Sequence, residues 1–111
     1  MYSKILYATD FDEVGIHAAH KAKKIADENN ATLHLVHVIE PIPAYAYPGF
    51  AGFAEVEASI KKQAETSLSK LAGELGLDDE HIHLVLGSTK HEVLSMAKDK
   101  QVDLIVAGSH G

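Results

Sequence analysis

The chain has 111 residues, a formal net charge of −6, 46% apolar and 23% charged residues, and no cysteine. That is enough for one domain around a modest core, and the composition excludes an intrinsically disordered chain. The acidic balance argues against nonspecific binding to nucleic acid or an anionic membrane, and disulfides and thiolate metal sites are excluded outright. No apolar run approaches transmembrane length. The N-terminus, Met1-Tyr2-Ser3-Lys4, enters a strand pattern at once and lacks the parts of a signal peptide. The expectation is a cytoplasmic protein.

Ile5-Leu6-Tyr7-Ala8 reads as a first strand, apolar on both faces as a central parallel strand should be, and it ends in Thr9-Asp10. A helix is predicted from about Val14 to Asn29, with Asp12 as N-cap and Glu13 favourable at its positive end. Ala18, Ala19, Ala22, Ile25 and Ala26 form its apolar stripe. Thr32 to Ile39 is the second strand. Glu40 to Phe53 holds all three prolines and two glycines, which forbid a regular element there. Its aromatics suggest a loop that covers the core or meets a second subunit.

A long helix follows from about Ala54 to Leu75, with Ile60, Ala64, Leu68, Leu71 and Leu75 on its apolar face and Gly76 as its left-handed cap. His81 to Leu86 reads as the third strand. Thr89-Lys90-His91-Glu92 fits a capping box, opening a helix to about Lys100 whose inner face carries Val93, Leu94 and Ala97. Val102 to Ala107 reads as a buried fourth strand, followed by Gly108-Ser109-His110-Gly111. Strands alternating with helices imply an α/β fold, an open parallel sheet with helices on both faces, in the order 3-2-1-4. The chain is read as a single domain, 1–111.

Ligands of open parallel sheets bind beyond the carboxyl ends of the strands. Three such ends could line one crevice here: Ala8-Thr9-Asp10, Val38, and Ala107-Gly108-x-x-Gly111. An Asp can accept from a ribose hydroxyl or an adenine amino group. The main chain of Val38 can read a base edge, and backbone N–H groups of a glycine loop can hold phosphate. Together these demands describe a nucleotide.

The stretches Lys4-Ile5-Leu6-Tyr7-Ala8-Thr9-Asp10-Phe11, Leu35-Val36-His37-Val38 and Val102 to Gly111 resemble the universal stress protein (UspA domain) family, in order and at the right spacing. The resemblance implies a Rossmann-like fold and adenine-nucleotide (ATP or AMP) binding, with Mg2+ as an accompanying ion. It implies that Asp10 lies near the adenosine, that the Val38 main chain meets adenine, and that Gly108 and Gly111 are the first two glycines of a Gly-x-x-Gly phosphate motif. The family motif continues past these glycines into a last helix and strand, so the expectation is a domain cut short of both. A stress-response sensor or adaptor that works as a homodimer or higher oligomer follows, with a dimerisation module that binds no nucleotide as the alternative.

Other chemistry is less well marked. Of the eight histidines, His17 and His20 are i, i+3 on an exposed helix face without a placed third ligand. His34 and His37 point to opposite faces of their strand, His81 and His83 share one, and no metal is assigned. There is no Gly-Lys-Ser/Thr phosphate loop and no oriented nucleophile, and no arginine is present, so a slow ATPase is the weakest alternative.

Overall fold

The computed structural model of the protein describes residues 2–41 and 52–107. Its elements are β1 (Lys4–Ala8), α1 (Glu13–Asn29), β2 (Thr32–Ile39), α2 (Phe53–Leu75), a 3-10 turn (Asp79–His81), β3 (Ile82–Leu86), α3 (Thr89–Asp99) and β4 (Leu104–Ala107). All strand pairs are parallel, in the order β3-β2-β1-β4, as the alternation of elements predicts. The sheet first grows outward from β1 through β2 to β3. It then returns across itself to place β4 on the other side of β1. With right-handed crossovers, that reversal puts α1 and α2 on one face and α3 on the other.

Two apolar layers result. Ile5, Tyr7, Leu33 and Leu35 from the sheet pack with Ala19, Ala22 and Ala26 of α1 and Leu68, Leu71 and Leu75 of α2. On the opposite face, Leu6 and Val36 pack with Val93 and Ala97 of α3. β1 is buried on both faces, with Ile5, Leu6 and Tyr7 all at 0% exposure, because, like β2, it has helices on both faces and a strand on each side.

The helix ends follow their predicted chemistry at α1 and α2. The Asp12 carboxylate accepts the Gly15 N–H at 2.7 Å. Asn30 closes α1 and Gly76 closes α2, both left-handed at φ 54° and 69°. Leu77 donates back to the Ala72 carbonyl and packs into the core.

Several expectations need correction. The capping box at α3 does not form. Ser88 is the N-cap and makes no side-chain cap bond, while the Thr89 N–H donates to the Glu40 carboxylate at 3.0 Å. A carboxylate from the end of β2 thus does the work that a local side chain was expected to do, and this bond holds Glu40 below the usual carboxylate range. Leu94 is 52% exposed, because Met96 takes the inward position next to Val93 and Ala97. β4 is not buried. Its residues alternate half-buried and exposed, with Ile105 at 39%, because it is the edge strand and α3 lies over β2 and β1 instead. His81 falls in the 3-10 turn, one residue before β3.

Candidate functional site

The strand order defines one place where the winding reverses, between β1 and β4. α1 leaves β1 on one face, whereas β4 is reached through α3 on the other, and ligands of open parallel sheets bind at the carboxyl ends of strands beside such a reversal. Ala8 sits in register between Val36 and Ala107. Thr9 extends the ladder by one residue, its N–H donating to the Val36 carbonyl at 2.9 Å. Asp10 follows directly and is exposed. Val38, half-buried, lies two residues beyond Val36 and pairs with Val85 on its other side. Thus Ala8, Thr9, Asp10, Val38 and Ala107 come together at one end of the sheet. Gly108 and Gly111 lie outside the described residues, as does His110, and the aromatic loop does so over 42–51.

The turn after β1 is held from several directions. Thr9 is 4% exposed and has its polar groups satisfied within the protein. Its hydroxyl donates to the Asp10 carbonyl at 2.7 Å, and its own carbonyl lies 2.7 Å from His37 Nδ1. A carbonyl can only accept, so Nδ1 carries the proton there and the tautomer is fixed. The Phe11 ring leans on the His37 ring at 4.6 Å. The Tyr7 hydroxyl donates to the Gly15 carbonyl at 2.7 Å, which ties β1 to the first turn of α1. Burial raises the pKa of that hydroxyl, so it stays a neutral donor. Thr9 is therefore frame more than ligand, and the exposed carboxylate of Asp10 is what this frame presents.

His37, Tyr7 and Gly15 are parts of the site that motif reading missed. The signal for His37 was parity: it faces the α1 side of β2, the side toward which the chain turns after Thr9. For Gly15 the signal was a glycine in a helical first turn, where glycine is otherwise unfavourable.

The amino end of β3, at the other edge of the sheet from β4, holds a second cluster of titratable groups. His34 Nδ1 lies 3.2 Å from His83 Nε2. Burial, then the neighbouring His83 and Lys100, push the His34 pKa down to about 4. Burial and Lys100 also lower that of His83. The unfolded chain binds protons near pH 6.5 that the folded chain takes up only at lower pH. Stability should therefore be complete above about pH 6.5 and fall steadily toward pH 4. Both rings are partly open to water, so the screened loss is on the order of 1–2 kcal/mol. Urea midpoints between pH 7.5 and 4.5, taken with a chelator present, check this. A His34→Gln chain should show a shallower slope.

An open parallel sheet that reverses its winding beside β1 is a doubly wound, Rossmann-like α/β fold. The chain belongs to the universal stress protein family, whose family model matches residues 1–111. Universal stress protein A homolog 1 of Coxiella burnetii (strain RSA 493 / Nine Mile phase I) is 35% identical over 113 residues, covering 99% of this chain and 78% of that protein. The solved structure of MJ0577, a universal stress protein of Methanocaldococcus jannaschii, superposes with a TM-score of 0.80 at 28% identity, covering 100% of this chain and 77% of that one. A universal stress protein solved in complex with cAMP superposes at 0.61 with 21% identity, covering 94% of this chain and 70% of that one. Among the described residues, no helix is long and apolar enough to cross a membrane.

Proposed function

We propose that the chain binds an adenine nucleotide in the crevice between β1 and β4 and serves as a stress-response sensor or adaptor without robust turnover. The observation that carries this reading is that Asp10, Val38 and Ala107 stand at the carboxyl ends of three neighbouring strands, β1, β2 and β4, beside the point where the sheet reverses its winding. Family membership and a relative that binds cAMP support the same ligand class.

In this reading the Asp10 carboxylate accepts from a ribose hydroxyl or the adenine amino group. The Val38 main chain meets the base edge. Ala8, Thr9 and Ala107 form the wall, where small side chains leave room for a ligand to approach the backbone. The backbone of Gly108 and Gly111 holds the phosphate side, with Mg2+ accompanying ATP.

Calorimetric titration with ATP, ADP, AMP and cAMP tests the proposal. The parent should bind at least one of them below millimolar. Asp10→Ala should weaken binding roughly tenfold or more, the worth of a hydrogen bond to a charged group. Binding unchanged in Asp10→Ala removes that residue from the site, and no binding of any of the four removes the function. Linear phosphate release above a no-protein control would revive the slow-ATPase reading.

The exposed edge strand β4 favours a partner as well. Its outer side pairs with no strand among the described residues, and Ile105 is 39% exposed on it. A homodimer through this edge is the companion proposal, and a monomer at high concentration in sedimentation would remove it.

A further inference from the structure

Three imidazoles gather at the amino end of the edge strand β3, two strands away from β4. His34 lies on β2, His83 on β3 and His81 in the turn before β3. The register pairs Val36 with His83, so His34, two residues earlier, shares the α3-covered face with it. The His34 and His83 rings lie 5.4 Å apart at 29°, and the His81 ring lies 5.1 Å from that of His34.

One distance and one unpartnered nitrogen decide what the cluster can do. His34 Nδ1 and His83 Nε2 are 3.2 Å apart. That suits a neutral hydrogen bond. It equally suits two nitrogens on one tetrahedral ion, which at ~2.0–2.1 Å from the metal stand roughly 3.3 Å from each other. The hydrogen bond alone explains only part of the cluster. Among the described residues, His81 Nδ1 is the one buried side-chain nitrogen or oxygen without a hydrogen-bond partner. A buried polar atom of this kind calls for a ligand, an ion or a water. As placed, the nitrogens of the three rings do not all lie within 4.8 Å of one another, so a metal on the His34–His83 pair satisfies His81 only after its ring turns toward it.

We propose that His34, His83 and His81 form a site for one divalent transition-metal ion of the kind imidazole prefers, zinc, nickel or copper. His34 Nδ1 and His83 Nε2 are the preformed pair, and His81 supplies the third nitrogen by a side-chain rotation. An open cleft of about 330 Å³ beside His83, lined also by Glu92, Ser95, Asp99 and Lys100, gives an ion its way in. The nearby charges set the strength. Lys4 and Lys100 oppose a cation, although the Lys4 ammonium is engaged by the Lys100 carbonyl at 3.2 Å. Asp99 in the cleft and Asp78 and Glu80 beside His81 act the other way. Binding should therefore be weaker than at a closed structural zinc site.

The turn offers a rival. Asp78, Glu80 and His81 place ligand atoms within 4.8 Å of one another and could take an ion without the other two histidines. The experiment therefore reads the ligands on the unaltered protein. The chelator-treated 111-residue chain is titrated with zinc chloride by calorimetry and by imidazole 15N–1H NMR. One equivalent should bind, and the ring nitrogens of His34, His81 and His83 should shift while those of His17 and His20 stay. The double variant H34Q/H83Q should lose tenfold or more in affinity, on the order of what losing metal-site groups costs. D78N/E80Q should lose little. Absence of binding up to millimolar zinc overturns the proposal. So does a shift of His81 alone, with binding abolished by D78N/E80Q and retained by H34Q/H83Q.

Discussion

Gly15→Ala is expected to destabilise the chain by about 3 kcal/mol or more and to abolish the nucleotide binding proposed for the crevice. Gly15 lies buried in the first turn of α1, and the backbone of Asp10 passes directly over it. A methyl group there would overlap the Asp10 carbonyl oxygen. It would also stand 2.9 Å from the carbonyl carbon and 3.2 Å from the Asp12 carboxylate. No rotamer relieves a clash with backbone, so the turn Thr9–Asp12 must move and carry Asp10 with it. Gly73 makes the control. It lies inside α2 with nothing within 4 Å of the added carbon, so Gly73→Ala should stabilise by about 0.5–1 kcal/mol through helix propensity. Urea unfolding of both variants checks the pair. Equal effects would mean that helix propensity, and not the close approach to Asp10, determines what happens at Gly15.

Tyr7 should separate the stability of the sheet from the order of the site. It is fully buried in the central strand, and its hydroxyl reaches the Gly15 carbonyl. Tyr7→Ala removes a large ring from the main apolar layer and should cost about 3–5 kcal/mol. Tyr7→Phe keeps the ring and should cost only about 1 kcal/mol in unfolding. Its second effect is the informative one. Without the hydroxyl, the turn after β1 loses its tie to α1, so amide exchange at Asp10 to Gly15 should quicken while that of Ile5 to Tyr7 stays slow. Uniformly faster exchange would show that the hydroxyl stabilises the whole domain and not this turn.

The parts of the fold that were legible in the sequence are those set by local periodicity and chemistry. β2 and the alanine stripe of α1 follow from spacing, and Asp12, Asn30 and Gly76 cap as their residue types predict. The parts that were not legible depend on which elements become neighbours. Leu94 and Ile105 look like core residues by hydropathy, yet whether they are covered depends on where α3 lies across the sheet. Thr89 and Glu92 have the spacing of a capping box, but Glu40, 49 residues away from Thr89, occupies the helix end. The site divides the same way. Asp10 and Val38 were marked by standing at strand ends. The support from His37 and Tyr7 is tertiary, and so is the meeting of His34 with His83 across 49 residues.

Asp103 gives the fold a timetable. Its carboxylate accepts the Ser3 N–H at 3.0 Å, the Lys4 N–H at 2.9 Å and the Ser3 hydroxyl at 3.1 Å, and these bonds hold its pKa low. The partners are 99 and 100 residues apart. β1 is thus synthesised before the other three strands but acquires its second neighbour only after nearly all the chain described here has been made. Closing so long a loop is slow, and one flank of β1 stays unpaired in the nascent protein until then. The clasp at Asp103 should therefore report the last step of folding, and a variant that loses it should slow the final closure of the sheet while the earlier β1–β2 pairing proceeds at its usual rate.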